Sequence, residues 1–175
     1  MTQSIFTDLL IKGEIIEDLR PNLYDPVEGT TIADAEVKRI TRKTNLAHIR
    51  WSLEDGGEII ISTTRPELIC ACGVVLVHPD DNRYRDMIGK TACLPIKVEG
   101  RSDKVKILSH PPVKMEFGSG VLMVCSYGDQ NDVSVFRELK LEPFQAIDLE
   151  GRMTGVAGQL EGMLVSDARL SLIHI

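Results

Sequence analysis

Asn45-Leu46-Ala47-His48-Ile49-Arg50-Trp51-Ser52-Leu53-Glu54-Asp55-Gly56-Gly57-Glu58-Ile59-Ile60-Ile61-Ser62-Thr63-Thr64-Arg65-Pro66-Glu67 is the stretch that decides how this chain folds. Leu46, His48 and Arg50 alternate with Ala47, Ile49 and Trp51, the two-residue period of a strand with unlike faces. Glu54-Asp55-Gly56-Gly57 then supplies a hairpin turn, because glycine takes positive φ at no steric cost, and Glu58 to Ser62 returns as the partner strand. The hairpin runs out into hydroxyls, a guanidinium and a carboxylate. A second apolar run, Val121 to Cys125, is introduced by Gly118-Ser119-Gly120 and ends in Tyr127-Gly128-Asp129-Gln130-Asn131-Asp132. Two strand ends carrying clustered polar groups, far apart in sequence, can form one polar pocket. The groups present suit a hydrolytic site with no metal.

Working outward, Ile5 to Leu19 reads as a short helix stopped near Gly13 and followed by an extended piece. Arg20 to Thr31, with Pro21, Pro26 and Gly29, reads as irregular connection, and Ala35-Glu36-Val37 as the start of an extended run. Gly73 to His78 is a valine-rich run predicted to be a strand buried on both faces. Pro79-Asp80-Asp81-Asn82 starts a helical turn or two through Met87, closed at Gly89. Further strands are predicted at Thr91 to Ile96, Val105 to Leu108, Val121 to Ser126 and Phe144 to Leu149. Asp129 to Leu139 is predicted helical, with Val133, Phe136 and Leu139 on one face and charges that suit the helix dipole. A last helix begins near Ser166. Many short strands with a few helices imply an α+β domain on a curved or barrel-like, mostly antiparallel sheet.

The chain has 175 residues, 43% of them apolar and 26% charged, which suits one compact domain with one core. Its longest apolar runs fall far short of the about 20 residues that span a bilayer, so no membrane partner is expected. The first twelve residues lack a basic leader and a cleavage pattern, which makes cytoplasmic the expected location. Cys70, Cys72, Cys93 and Cys125 lie in strand-like surroundings at spacings that fit neither a disulfide scaffold nor a zinc site, and read as buried free thiols. A net charge of −6 excludes broad binding to a phosphate backbone but permits a narrow contact with one RNA end. Lys38, Arg39, Arg42 and Lys43, and again Arg101, Lys104 and Lys106, are either solvated faces or contacts for such a polynucleotide.

Taken in order, Thr63-Thr64-Arg65-Pro66-Glu67, Val77-His78-Pro79, Ile88-Gly89-Lys90-Thr91-Ala92, Glu116-Phe117-Gly118-Ser119-Gly120-Val121 and Gly128-Asp129-Gln130-Asn131-Asp132 resemble the editing domain inserted into class I aminoacyl-tRNA synthetases of the valyl, isoleucyl and leucyl group. The resemblance spans about Ala33 to Leu141, is looser toward both ends, and is nearest to the valyl type. Leu68 stands where many relatives have threonine, Met123 and Cys125 where they have lysine and threonine, and Gly128 where they have histidine. The Tyr-Gly-Asp form resembles an archaeal-type variant. The resemblance implies connecting residues at 1–32, the editing domain at 33–165 and a terminal helix at 166–175 that starts a return connection. It also implies a larger parent enzyme whose ATP-using synthetic half, marked by His-Xaa-Gly-His and Lys-Met-Ser-Lys-Ser motifs, is absent here. Editing itself needs no cofactor. The implied partners are the 3′ end of an aminoacylated tRNA and the rest of the parent synthetase. No paired cysteines occur between Asn22 and Thr31, where relatives often carry them, so no zinc knuckle is expected there.

What this implies chemically is removal of a wrong amino acid. A pocket for a small apolar side chain rejects a hydroxyl isostere only weakly, the known figure for the valyl enzyme against threonine being about 10²-fold, and a second hydrolytic site is the remedy. That site must bond the threonine hydroxyl, so that valine leaves a buried polar group unpaired at a cost of about 1–3 kcal/mol. Asp129 and Asp132, three apart at a helix start, project to one side. Asp129 is assigned to the α-ammonium and Asp132 to the hydroxyl, the reverse assignment remaining open. Thr63, Thr64 and Asp129 are the candidate catalytic residues, ordering a water or an oxyanion. Arg65, Glu67, Asp132, Met123 and Cys125 are the candidate substrate contacts, with Arg65 on a phosphate or ribose, or else paired with Glu67. His48, His78, His110 and His174 lie outside both motifs, so water positioning aided by the neighbouring ribose hydroxyl is favoured over a Ser-His-Asp triad. The expected activity is hydrolysis of threonyl-tRNA for valine. The alternatives are an isoleucyl-type domain clearing valine and a tRNA-end binding module without hydrolysis.

Overall fold

The computed structural model describes residues 2–17 and 21–173. Along the chain lie α1 (Thr2–Ile11), β1 (Leu23–Asp25), β2 (Thr30–Ile32), β3 (Ala47–Leu53), β4 (Glu58–Thr63), β5 (Cys72–Val77), β6 (Thr91–Cys93), β7 (Lys104–Ser109), β8 (Val121–Cys125), α2 (Gln130–Glu138) and α3 (Val165–Ile173). The hairpin forms as its pattern requires. Trp51 and Leu53 are buried, Ser52 pairs with Glu58, and Gly56 and Gly57 adopt φ of 89° and 94° in the turn.

Six strands form one sheet in the order β4-β3-β6-β7-β5-β8. Every pairing in it is antiparallel except β5 with β7, which is parallel. The end strands β4 and β8 pack against each other, so the sheet curls nearly shut around one core. This is the expected α+β barrel-like architecture. β5 is buried on both faces, as its unbroken valine run requires. Val75 and Val77 face the barrel interior, while Val74 and Leu76 pack under α2 with Val124, Val135 and Phe136. Gly73 admits Phe136, whose ring would lie 2.5 Å from any Cβ placed there.

Closure of the barrel is a matter of close approach. At Gly118, with φ of 58°, a Cβ would lie 2.5 Å from the Ser62 Cβ. That proximity lets the Ser119 amide donate to Ser62 Oγ at 2.8 Å, while Ser62 Oγ also bonds His48 Nδ1 at 2.8 Å. The loop before β8 is fixed from its other side, where Arg83 bridges Asp81 and the Met115 carbonyl and the Tyr84 hydroxyl donates to the Ser119 carbonyl.

Several elements differ from the sequence reading, some through local bonds that the pattern did not announce and some for want of a pairing partner. Leu23–Asp25 and Thr30–Ile32 pair as a hairpin around Gly29, not as irregular connection. Asp34–Glu36 is a single 3-10 turn, held by Glu36 returning a carboxylate bond to the Ala33 amide. The turn predicted after Pro79 is only Arg85–Met87. Phe144 to Leu149 makes a lone bridge, Ile147 to Met153, in place of a strand. The extended piece expected after Gly13 has no strand among its described residues, and His174 lies outside them. Cys70, Cys72 and Cys125 are buried and free as expected, with Cys93 half-buried. Burial pushes the Cys70 thiol up to about 11, which leaves it unreactive.

The basic groups divide. Lys38, Arg39, Arg42 and Lys43 are exposed. Lys104 pairs with Glu54 at 2.6 Å. Arg101 is half-buried, not on a solvated face. Its guanidinium donates to the Cys70 and Cys72 carbonyls and stacks on Phe144, 4.3 Å from the ring centre.

α3 is docked through charge. Glu67, in the 3-10 segment Pro66–Ala71, is 0% exposed, and Arg169 grips both its oxygens at 2.6 and 2.9 Å. Removing Arg169 leaves a buried carboxylate with only the looser contact to Arg65 at 3.6 Å, whereas replacing Glu67 by neutral glutamine releases a partly solvated guanidinium. Arg169→Met is therefore expected to destabilise the chain by about 3 kcal/mol, the lower part of the range for broken buried pairs because the Arg169 side chain is 40% exposed, and by more than Glu67→Gln does. Denaturant melts of the two variants check the order.

Candidate functional site

The two motifs meet where the barrel closes. The chain leaves β4 through Thr63, whose Oγ1 accepts the Arg65 amide at 3.0 Å, a short turn that swings the Arg65 side chain across the seam. There Arg65 Nη1 donates to the Gly128 carbonyl at 2.6 Å, with its Nε 3.6 Å from Glu67 Oε1. One guanidinium thus joins the end of β4, the loop after β8 and, through Glu67 and Arg169, α3. The predicted pairing of Arg65 with Glu67 is present, and it leaves the Arg65 side chain 42% exposed beside a cavity of about 290 Å³ that Leu68, Ser126 and Tyr127 also line. Glu67 itself is fully buried, so it orients Arg65 and offers no face to solvent.

Asp129 begins α2. Its Oδ1 accepts the amides of Asn131 and Asp132 at 2.7 and 2.9 Å, the bonding of an N-cap. Asp129 is exposed, and no bond from Oδ2 is formed among the described residues. Asp132, one turn on, is half-buried, and its Oδ2 accepts the Cys125 amide at 3.3 Å. Glycine at residue 128 leaves room for that placement, since a Cβ there would meet Asp132 Oδ2 and turn the carboxylate aside.

Burial pushes the Asp132 carboxyl up to about 6, and the negative charge of Asp129 adds to the shift. The Cys125 amide and the positive charge of Arg65 pull the other way. Between its ordinary value near 3.8 and about 6 the folded chain holds this proton more firmly than the unfolded chain, so ionising Asp132 lowers stability as pH rises through that window. The site keeps a carboxylate poised close to neutrality at a cost to the fold.

Arg65, Asp129 and Asp132 are therefore brought together, with half-buried Thr63 and Thr64 at the turn beside them. Met123 and Cys125 stand differently. Both side chains are buried in the main core, 7% and 2% exposed, and what Cys125 contributes toward Asp132 is its amide. Other groups at the seam escape a linear reading. His48 meets Ser62 through the β3–β4 register, which alternation and turn length could have supplied. Tyr127, at φ of 55°, and Gly128 owe their parts to contacts that no local pattern announces. Among the described residues no group of three or more His, Cys, Asp or Glu is placed to hold a metal ion, and no helix is long and apolar enough to cross a membrane.

No protein-family profile matches the chain. Among curated proteins it is 41% identical over 176 residues to the valine–tRNA ligase of Aeropyrum pernix and 42% identical over 175 residues to that of Thermoplasma acidophilum, each match covering 100% of this chain. The chain spans only 21% and 22% of those proteins' lengths. Among solved structures it resembles the LeuRS of Agrobacterium radiobacter, determined in a ternary complex with tRNA and LeuAMS, with a TM-score of 0.56 and 17% identity over 73% of this chain and 18% of that one, a likeness of fold. The chain is thus matched from end to end, at about 40% identity, by one segment of valine–tRNA ligases, and it shares its fold with part of a LeuRS.

Proposed function

We propose that the chain hydrolyses the ester of threonyl-tRNA mischarged on the valine tRNA. The observation that carries this reading is the pair of unlike carboxylates beside one guanidinium at the barrel seam. Asp129, exposed at a helix start, suits the α-ammonium, which every amino acid has. Asp132, half-buried and fixed against the Cys125 amide, suits the group that only threonine has, a hydroxyl able to donate to it. Valine would leave that carboxylate facing a methyl group, a loss of about 1–3 kcal/mol. Arg65 holds the Gly128 carbonyl with one nitrogen and, being part-exposed, keeps donors for a ribose or phosphate oxygen of the terminal adenosine.

In the reaction water adds to the ester carbonyl, the ribose oxygen leaves and takes up one of the water protons, and the amino acid departs as its carboxylate, the second proton passing to solvent. The ribose is a good leaving group, so ordering the water is enough to speed the step, aided by the adjacent ribose hydroxyl. Thr63 Oγ1 accepts the Arg65 amide but keeps its own proton to donate, and Thr64 adds a second hydroxyl, so the turn can steady a water or the developing oxyanion. The larger enzyme and the tRNA are the proposed partners, and support comes from the valine–tRNA ligase identity of the relatives.

Because Asp129 is also a helix cap, alanine confounds two roles. Asp129→Ala should cost about 1 kcal/mol of stability together with deacylation, whereas Asp129→Asn keeps the cap and loses only the charge. The expectation is near-wild-type melting and at least tenfold slower threonyl release for Asp129→Asn. Unimpaired release by the folded variant would contradict the assignment.

Ionised Asp132 accepts the threonine hydroxyl, so kcat/KM for threonyl-tRNA should rise with pH through about 6 and then level. Asp132→Asn should abolish that inflection and narrow the preference for threonyl over valyl by about tenfold, the loss of one hydrogen bond. Paired pH profiles for wild type and variant decide this.

A further inference from the structure

The largest cavity described, about 710 Å³, runs along α2 beside the seam. Its wall includes Asn22, Tyr127, Phe136, Arg137, Lys140 and Gln145, and the cavity at Arg65 shares Asn22, Tyr127, Gln145 and Ile147 with it. One trough therefore passes from Arg65 over Tyr127 to the C-terminal end of α2. Its volume lies within the about 300–1,000 Å³ of pockets for small organic molecules. Its charge is unlike that of the whole chain. The net charge of the chain is −6, yet the wall of the larger cavity holds two cations and no carboxylate. Arg137 and Lys140 are both exposed, and among the described residues neither forms an ion pair.

Tyr127 stands at the junction of the two cavities, 51% exposed. A left-handed φ of 55° is unfavourable for a bulky aromatic residue, and both neighbours hold it in place. Ser126 Oγ donates to the Ala71 carbonyl and accepts the Phe144 amide, while the Gly128 amide donates to the Cys125 carbonyl and its own carbonyl takes Arg65. An aromatic ring is thus presented to solvent at the mouth of the site by a backbone that cannot easily relax.

We propose that this trough carries the single-stranded nucleotides preceding the terminal adenosine of the bound tRNA, with Tyr127 as a stacking platform and Arg137 and Lys140 as phosphate contacts. The inference rests on the reading that the seam takes the aminoacylated adenosine. An aromatic face followed by cations is the usual composition of a groove that binds one strand without reading its sequence. It also accounts for how an acidic domain engages RNA, through a narrow basic track instead of a broad basic surface. Arg137 and Lys140 also compensate the α2 dipole, a role that predicts no effect on RNA binding.

The test uses two probes with the 175-residue chain. One is an adenosine carrying a nonhydrolysable threonyl group, and the other is a four-nucleotide RNA ending in that same adenosine. Wild type should bind the longer probe more tightly. Tyr127→Ala should remove about tenfold of that advantage and Tyr127→Phe should keep it, since stacking requires the ring and not the hydroxyl. Arg137→Gln combined with Lys140→Gln should lower the slope of log Kd against log salt by about 1.4, or about 0.7 for each phosphate no longer neutralised. All these variants should bind the short probe as wild type does. Unchanged affinity and salt slope for the longer probe in every variant would overturn the track, as would equal loss on both probes, which would place Tyr127 inside the amino acid pocket. Failure of the substrate reading is a separate result, in which wild type does not prefer the short threonyl probe to its valyl counterpart.

Discussion

Everything at this site depends on how the last strand of a curled sheet meets the first. β4 and β8 each have an unpaired edge, and the seam between them is closed by few and specific contacts: Ser119 to Ser62, the glycine approach at Gly118, and Arg65 to the Gly128 carbonyl. An open edge is a hazard in a sheet protein, and closing the barrel removes it. The same closure places the polar ends of both strands side by side. Arg65 serves both purposes, because the bond that fastens the seam also brings a positive charge close to Asp132.

The site is set at some expense to the fold. Glu67 is wholly buried and depends on two guanidinium groups for its charge. Asp132 is held where burial and Asp129 oppose its ionisation, and Tyr127 sits in a backbone conformation that favours glycine. Each feature would be removed by a design for stability alone. They are concentrated along one seam, while β5 and the barrel interior are built from valine, isoleucine and leucine, as the proposed site requires. The buried free thiols belong with the scaffold.

Much of this was legible in the residues, and the reasons for success and failure are physical. The β3–β4 hairpin, β5 and α2 could be read because period, turn glycines and capping carboxylate all agree, and such agreement leaves little for tertiary contact to change. The short pieces could not. Leu23–Asp25 and Thr30–Ile32 look like loop until paired, and Phe144 to Leu149 looks like strand but finds no partner beyond one bridge. Asp129, Asp132 and Arg65 were identifiable from their company in the two motifs. The fate of Met123 and Cys125 was not, because a strand residue's face depends on the register of its neighbours, and in β8 both turn into the core. Arg101 shows the same limit, a basic residue whose destination is a pair of backbone carbonyls. Gly128 reads in sequence as the loss of a side chain, whereas in space it is the room that Asp132 occupies.

The most direct measurement is the release of amino acid by this chain from valine tRNA charged in parallel with threonine and with valine, at high protein concentration and low salt. Selective release of threonine is the predicted result. Equal release of both, or none from a chain shown to be folded and to bind the tRNA end, would contradict the account.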